Sequence, residues 1–150
     1  MSEIGFYHLT RSSLEQALPA LLGRTLAAGE RAFVLCPDQE RLAALDDALW
    51  LATSPDWLPH GTRAMGHAAY QPIWLDTEDG PPPNGACFLF LVAGAESRHL
   101  DLFTRVFDLF DGNDPAAVER ARARYRAARA AGHRLTYWRQ TEAGWEKQAG

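Results

Sequence analysis

The sequence predicts an α/β fold, a mostly parallel sheet covered by helices, and three observations predict it. Strand-sized apolar runs alternate with segments of helical period through the first fifty residues. The runs at 32–36 and 86–92 are apolar without alternation, as strands buried on both faces are. The 150-residue chain is 47% hydrophobic, which suits one domain spanning 1–150 with a single sizeable core.

Residues 4–9, with Phe6, Tyr7 and Leu9, read as a first strand. Ser12 and Ser13 offer N-caps for a helix carrying Leu14, Leu18, Leu21, Leu22 and Leu26, which Gly29 ends. Pro19 inside it predicts a kink in the first turns. The second strand is 32–36, and Pro37-Asp38 opens a helix with Leu42, Leu45, Leu49 and Trp50 on one side. Residues 52–71 break the pattern: Pro55, Pro59, Gly61 and Gly66 stand beside Trp57, Leu58, His60, His67 and Tyr70. A long loop of this kind either folds its aromatics onto the core or presents them as an interface anchor. Ile73-Trp74-Leu75 is a short strand, 76–85 a stiff polar turn, and 86–92 the central strand. Leu100 and Phe103 lead through a short helix into the apolar run 106–110. Asp114-Pro115 is a helix start, 116–131 an Ala/Arg helix closed by Gly132, and 135–138 a last strand. Residues 142–150 read as a polar C-terminal tail in which Trp145 stands alone.

Charge is unevenly distributed. Residues 1–114 hold 7 Arg and 16 acids, a net of −9, while 115–150 hold 8 bases and 3 acids, a net of +5. A uniformly basic nucleic-acid binder is therefore disfavoured, and one basic end on an acidic protein suits an acidic partner segment. Fourteen of the fifteen bases are Arg, which fits a GC-rich coding bias and also suits planar carboxylate recognition. No apolar run approaches the ~20 residues of a membrane span, and no basic-then-apolar leader opens the chain. Cys36 and Cys87 make no metal-binding pair, so a cytoplasmic protein with reduced thiols is expected.

The last helix carries the most information. At ~100° per residue from Arg120, Tyr125 falls at ~140°, Val118 at ~160°, Arg129 at ~180°, Arg122 at ~200° and Arg126 at ~240°. Three guanidinium groups thus share a face with one ring and one aliphatic side chain, while Arg120 and Arg124 point the other way. A solvated helix surface usually carries acids four residues from its bases, and this helix has Glu119 alone. The repulsion among its arginines calls for an anionic partner or a tertiary acid. Elsewhere, Asp108, Asp111 and Asp114 could offer oxygens to Mg²⁺, but their spacing is not that of a calcium loop, and Asp114 reads as an N-cap. No GxSxG, P-loop, GxGxxG or zinc spacing occurs, so neither a catalytic constellation nor a cofactor is indicated.

Several blocks carry a family likeness: Phe6-Tyr7-His8-Leu9, Leu45-Asp46-Asp47-Ala48-Leu49-Trp50, Leu58-Pro59-His60-Gly61, Phe107-Asp108-Leu109-Phe110-Asp111-Gly112-Asn113-Asp114, Ala121-Arg122-Ala123-Arg124-Tyr125 and Leu135-Thr136-Tyr137-Trp138. In this order, over nearly the whole chain, they make it resemble the chi subunits of bacterial DNA polymerase III, accessory proteins of the clamp loader. The resemblance implies a non-catalytic, three-layer, Rossmann-like α/β protein that binds the acidic C-terminal tail of single-stranded DNA-binding protein. It also implies, in some members, binding of a psi subunit that bridges to the clamp loader. By position, the tail site would comprise Arg122 and Arg126, the Tyr125 ring and the apolar wall of Phe110. Val118 stands where some relatives carry another base, and Arg129 could compensate. The psi-side surface would involve Trp57, Leu58, Pro59 and His60, where a repair helicase is an alternative partner. DNA would be met only indirectly. Two rival readings are a small metal- or phosphate-handling enzyme built on Asp108, Asp111 and Asp114, and a direct single-stranded DNA binder.

Overall fold

The computed structural model describes residues 2–52 and 58–150. In chain order these form β1 (Glu3–Leu9), α1 (Leu14–Ala27), β2 (Ala32–Leu35), α2 (Gln39–Leu51), β3 (His60–Thr62), β4 (Ile73–Asp76), β5 (Phe88–Val92), β6 (Arg105–Asp111), α3 (Pro115–Ala130), β7 (Arg134–Thr141) and β8 (Gly144–Ala149). The strands make one sheet in the order β3-β4-β2-β5-β6-β1-β7-β8. Every pairing is parallel except β7 with β8. This is the expected three-layer α/β arrangement.

Side-chain alternation along the strands divides the core in two. Tyr7, Leu9, Val34, Phe90 and Leu109 face α1 and α2. Ile4, Phe6, Leu35, Leu91, Val106 and Phe110 face the side covered by α3, where Ala121 and Ala128 lie against the sheet. Small residues there let α3 approach closely. The caps follow the sequence. Ser13 and Gln16 form a capping box on α1, Asp38 accepts from the Arg41 N–H, and Asp114 accepts from the Ala116 N–H with Pro115 at the first turn. α1 continues through the buried Pro19 as a single element.

Two elements depart from expectation. The tail 142–150 is not a loose polar extension: Gly144–Ala149 is the antiparallel edge strand β8, held by Trp145, whose ring meets Tyr7 edge-on at 5.1 Å. Lys147 lies over the Trp138 ring at 6.0 Å. Within the aromatic loop, His60–Thr62 forms the short edge strand β3. No helix among the described residues is long and apolar enough to cross a membrane.

Candidate functional site

β6, β1 and β7 lie side by side in parallel, so their carboxyl ends share one edge of the sheet. In open α/β sheets that edge is where ligands are bound. The register sets His8 opposite both Phe110 and Arg139, and Phe6 opposite Tyr137. By alternation Phe110, His8, Tyr137 and Arg139 all project to the α3 side. α3 leaves β6 at this same edge and brings Val118, Arg122 and Tyr125 over it.

The rings are in contact. Tyr125 tilts against Phe6 at 5.2 Å and meets Tyr137 edge-on at 6.2 Å. Phe110 lies 5.1 Å from the His8 ring and 6.1 Å from Tyr137. His8 Nδ1 and the Tyr137 hydroxyl are 2.6 Å apart. Gly112 has to be glycine, because a Cβ there would strike the His8 ring and the Leu9 carbonyl. Burial holds the His8 pKa below its ordinary value, the Arg139 and Arg122 charges lower it further, and a backbone hydrogen bond with Gly112 and the Asp111 charge oppose. Burial raises the Tyr137 phenol against the same two arginines.

The structure sorts the arginines of α3 by flank. On the flank toward β7, Val118 and Tyr125 are half-buried and Arg122 is exposed. Among the described residues Arg122 and Arg129 make no ion pair, whereas Arg126 reaches Glu119 on the same helix at 3.8 Å. Arg129 lies about 10 Å along the axis from Arg122, so the three form a stripe rather than a cluster. On the other flank Arg124 turns inward to Asp108. Phe110 is buried beneath His8 and Tyr137; it is the floor of the patch rather than an open wall.

Sequence reasoning missed His8, Tyr137 and Arg139. The available signal was strand alternation: Tyr137 and Arg139 lie two apart on one strand, as do Phe6 and His8 on another.

The second expected surface is corrected by burial. Leu58 joins the core of the α1–α2 face, and His60 is buried, bonded to the Leu58 carbonyl at 2.7 Å and to Asp46 at 3.0 Å. Neither side chain is available to a partner. Pro59 is half-exposed, and Trp57 lies outside the described residues. Among the described residues the large exposed apolar groups at this end are Trp50, Leu51, Met65 and Tyr70.

The acidic triad is corrected too. Asp108 is 2% exposed and both its oxygens are bonded by Arg124, at 2.7 and 3.0 Å. Asp111 accepts from the Asn113 N–H and Asp114 caps α3. Among the described residues no three His, Cys, Asp or Glu side chains converge as a metal site. A cleft of about 540 Å³ does open beside α3, lined by Arg11, Ser13, Arg41, Asp111, Asp114 and Arg120. Its Arg41 is paired with Glu15, and its remaining charges are of both signs, so it offers no field of one sign.

Residues 1–136 match the family model described as "DNA polymerase III chi subunit, HolC". The DNA polymerase III subunit chi of Escherichia coli (strain K12) is 25% identical over 124 residues, 83% of this chain and 84% of that protein. A probable DNA polymerase III subunit chi of Rickettsia prowazekii (strain Madrid E) is 21% identical over 118 residues, 74% of this chain and 71% of that protein. The match runs through β1, β6 and α3, which carry His8, Phe110, Arg122 and Tyr125, and ends just before Tyr137 and Arg139; covering most of the chain, it shows that this chain belongs to the DNA polymerase III chi subunit family.

Proposed function

We propose that this chain is a non-catalytic accessory subunit of the polymerase III clamp-loader complex. On this reading it binds the acidic C-terminal tail of single-stranded DNA-binding protein and links it to the replication machinery. One observation carries the reading: Arg122, without an ion pair among the described residues, borders a patch of rings at the carboxyl edge of β6, β1 and β7, and Arg139 charges the same patch.

A tail ending in an aromatic residue would place its ring against Val118, Tyr125 and Tyr137 and its carboxylate beside Arg122. Acids upstream would follow the stripe toward Arg126 and Arg129. Burying one Phe contributes roughly 2 kcal/mol, and a charge-assisted bond fixes the chain end. Ordering a flexible segment offsets part of this, so micromolar affinity is expected.

The test is a titration of the protein with a fluorescent peptide copying the last ten or so residues of the tail, beside one lacking the terminal Phe. Salt-sensitive binding that disappears with the Phe supports the reading. Equal binding of the two peptides contradicts it, and so does no binding of either.

A further inference from the structure

The His8–Tyr137 pair has a chemistry that the arginines beside it do not. Gly112 lies against the Cδ2–Nε2 edge of the ring, and its backbone favours the protonated form. With the neutral ring's proton on Nε2, Nδ1 is the acceptor, and the Tyr137 O–H donates to it across 2.6 Å. The phenol then shows only lone pairs to a ligand. When a proton from solvent reaches Nδ1, the direction reverses: Nδ1–H donates to the Tyr137 oxygen, and the phenol O–H is released to donate outward. A single protonation thus adds a positive charge and converts the outward face of Tyr137 from acceptor to donor. Both changes favour a carboxylate.

The ring cannot evade this by turning away. Gly112 lies against one edge, Phe110 is tilted against the ring at 5.1 Å, and the Tyr137 hydroxyl holds Nδ1. The charged groups facing it are Arg122 from α3, Arg139 from β7 and Asp111 at the end of β6. Burial first, and then two cations against one anion, favour the neutral ring. An arriving carboxylate screens the arginines and reverses that preference.

We propose that His8 and Tyr137 form a proton-coupled hydrogen-bond pair that recognises the terminal carboxylate of the bound segment, so that docking beside Arg122 and Arg139 takes up a proton at His8. The proposal rests on the tail-binding reading above and names the group of the site that reads the chain end.

The experiment uses the full chain and two peptides of the acidic tail, one with a free terminal carboxylate and one amidated. Affinity is measured between about pH 7.5 and about pH 5.5, above the range where the peptide's own acids titrate. The free-acid peptide is expected to bind about fivefold more tightly at the lower pH, with proton uptake visible in calorimetry run in buffers of different ionisation enthalpy. His8→Gln, close in size and still able to bond Tyr137, is expected to flatten that profile. Tyr137→Phe keeps the ring packing and is expected to reduce the preference for the free acid over the amide at low pH, which guards against a His8 variant that fails to fold. If the free-acid peptide binds and its pH profile is the same with His8→Gln as with the natural residue, the proposal is overturned and the tail-binding reading stands. If neither peptide binds at any pH, the tail-binding reading is overturned and the proposal falls with it.

Discussion

Arg124 donates from Nε to Asp108 Oδ2 at 2.7 Å and from Nη2 to Oδ1 at 3.0 Å, fastening α3 onto β6. The Arg124 side chain is 11% exposed and the Asp108 side chain 2%, so this is a buried, bidentate pair. Burial pushes the Asp108 carboxyl up and Arg124 pulls against it. Because α3 also carries Arg122 and Tyr125, the pair sets where these two stand over β7.

Removing one partner of such a pair strands the other charge. Asp108→Asn is expected to lower stability by about 3 kcal/mol, read as a lower urea midpoint at unchanged slope. An unchanged midpoint would show that the pair does not anchor the helix.

Arg122 is the opposite case. It is exposed, and among the described residues it has no ion-pair partner whose loss would cost stability. Arg122→Ala is expected to weaken tail-peptide binding at least about tenfold while leaving thermal unfolding unchanged. Unchanged affinity would remove Arg122 from the site.

His8 titrates below its ordinary value of 6.5 in the folded chain, because burial and the Arg139 and Arg122 charges disfavour the imidazolium. Between that ordinary value and the lowered one, the unfolded chain holds the extra proton. This group therefore makes the fold lose stability as pH falls through that window, and it contributes fully above it. The ring's proton resonance should titrate below 6.5, and Arg139→Ala should move it upward. A titration above 6.5 in the unliganded protein would contradict the geometry.

A metal-handling enzyme would gain stability from its ion. With Asp108 saturated by Arg124 and Asp114 committed to its cap, millimolar Mg²⁺ is expected to leave the melting temperature unchanged. A clear upward shift would restore the acidic triad as a site.

Trp145→Ala is expected to cost about 2 kcal/mol and to loosen the β7–β8 edge, detectable as faster amide exchange along β8. Unchanged exchange would mean that the ring does not hold the strand. This segment also marks where the sequence stops being legible. Glu146, Lys147 and Gln148 are what an exposed edge strand carries, and they are equally what a loose tail carries. Trp145 anchors the strand on Tyr7, at the other end of the chain. By contrast β2 and β5, buried on both faces, announce themselves as unbroken apolar runs, and the Ser13, Asp38 and Asp114 caps mark their helices locally. In the site, Arg122 and Tyr125 were legible because one helix holds both. His8, Tyr137 and Arg139 were not, because they meet only through the parallel register of β1 with β7, more than a hundred residues apart. Arg124 was readable as belonging to a separate flank, but its partner on β6 was not.

The proposed docking edge is tested by chemical-shift mapping of the isotope-labelled chain with the unlabelled tail peptide. Saturable shifts are expected at His8, Phe110, Val118, Arg122, Tyr125, Tyr137 and Arg139, fading along α3 toward Arg129. Shifts gathered instead around Trp50, Met65 and Tyr70 at the β3 end of the sheet, with α3 and β7 silent, would contradict it.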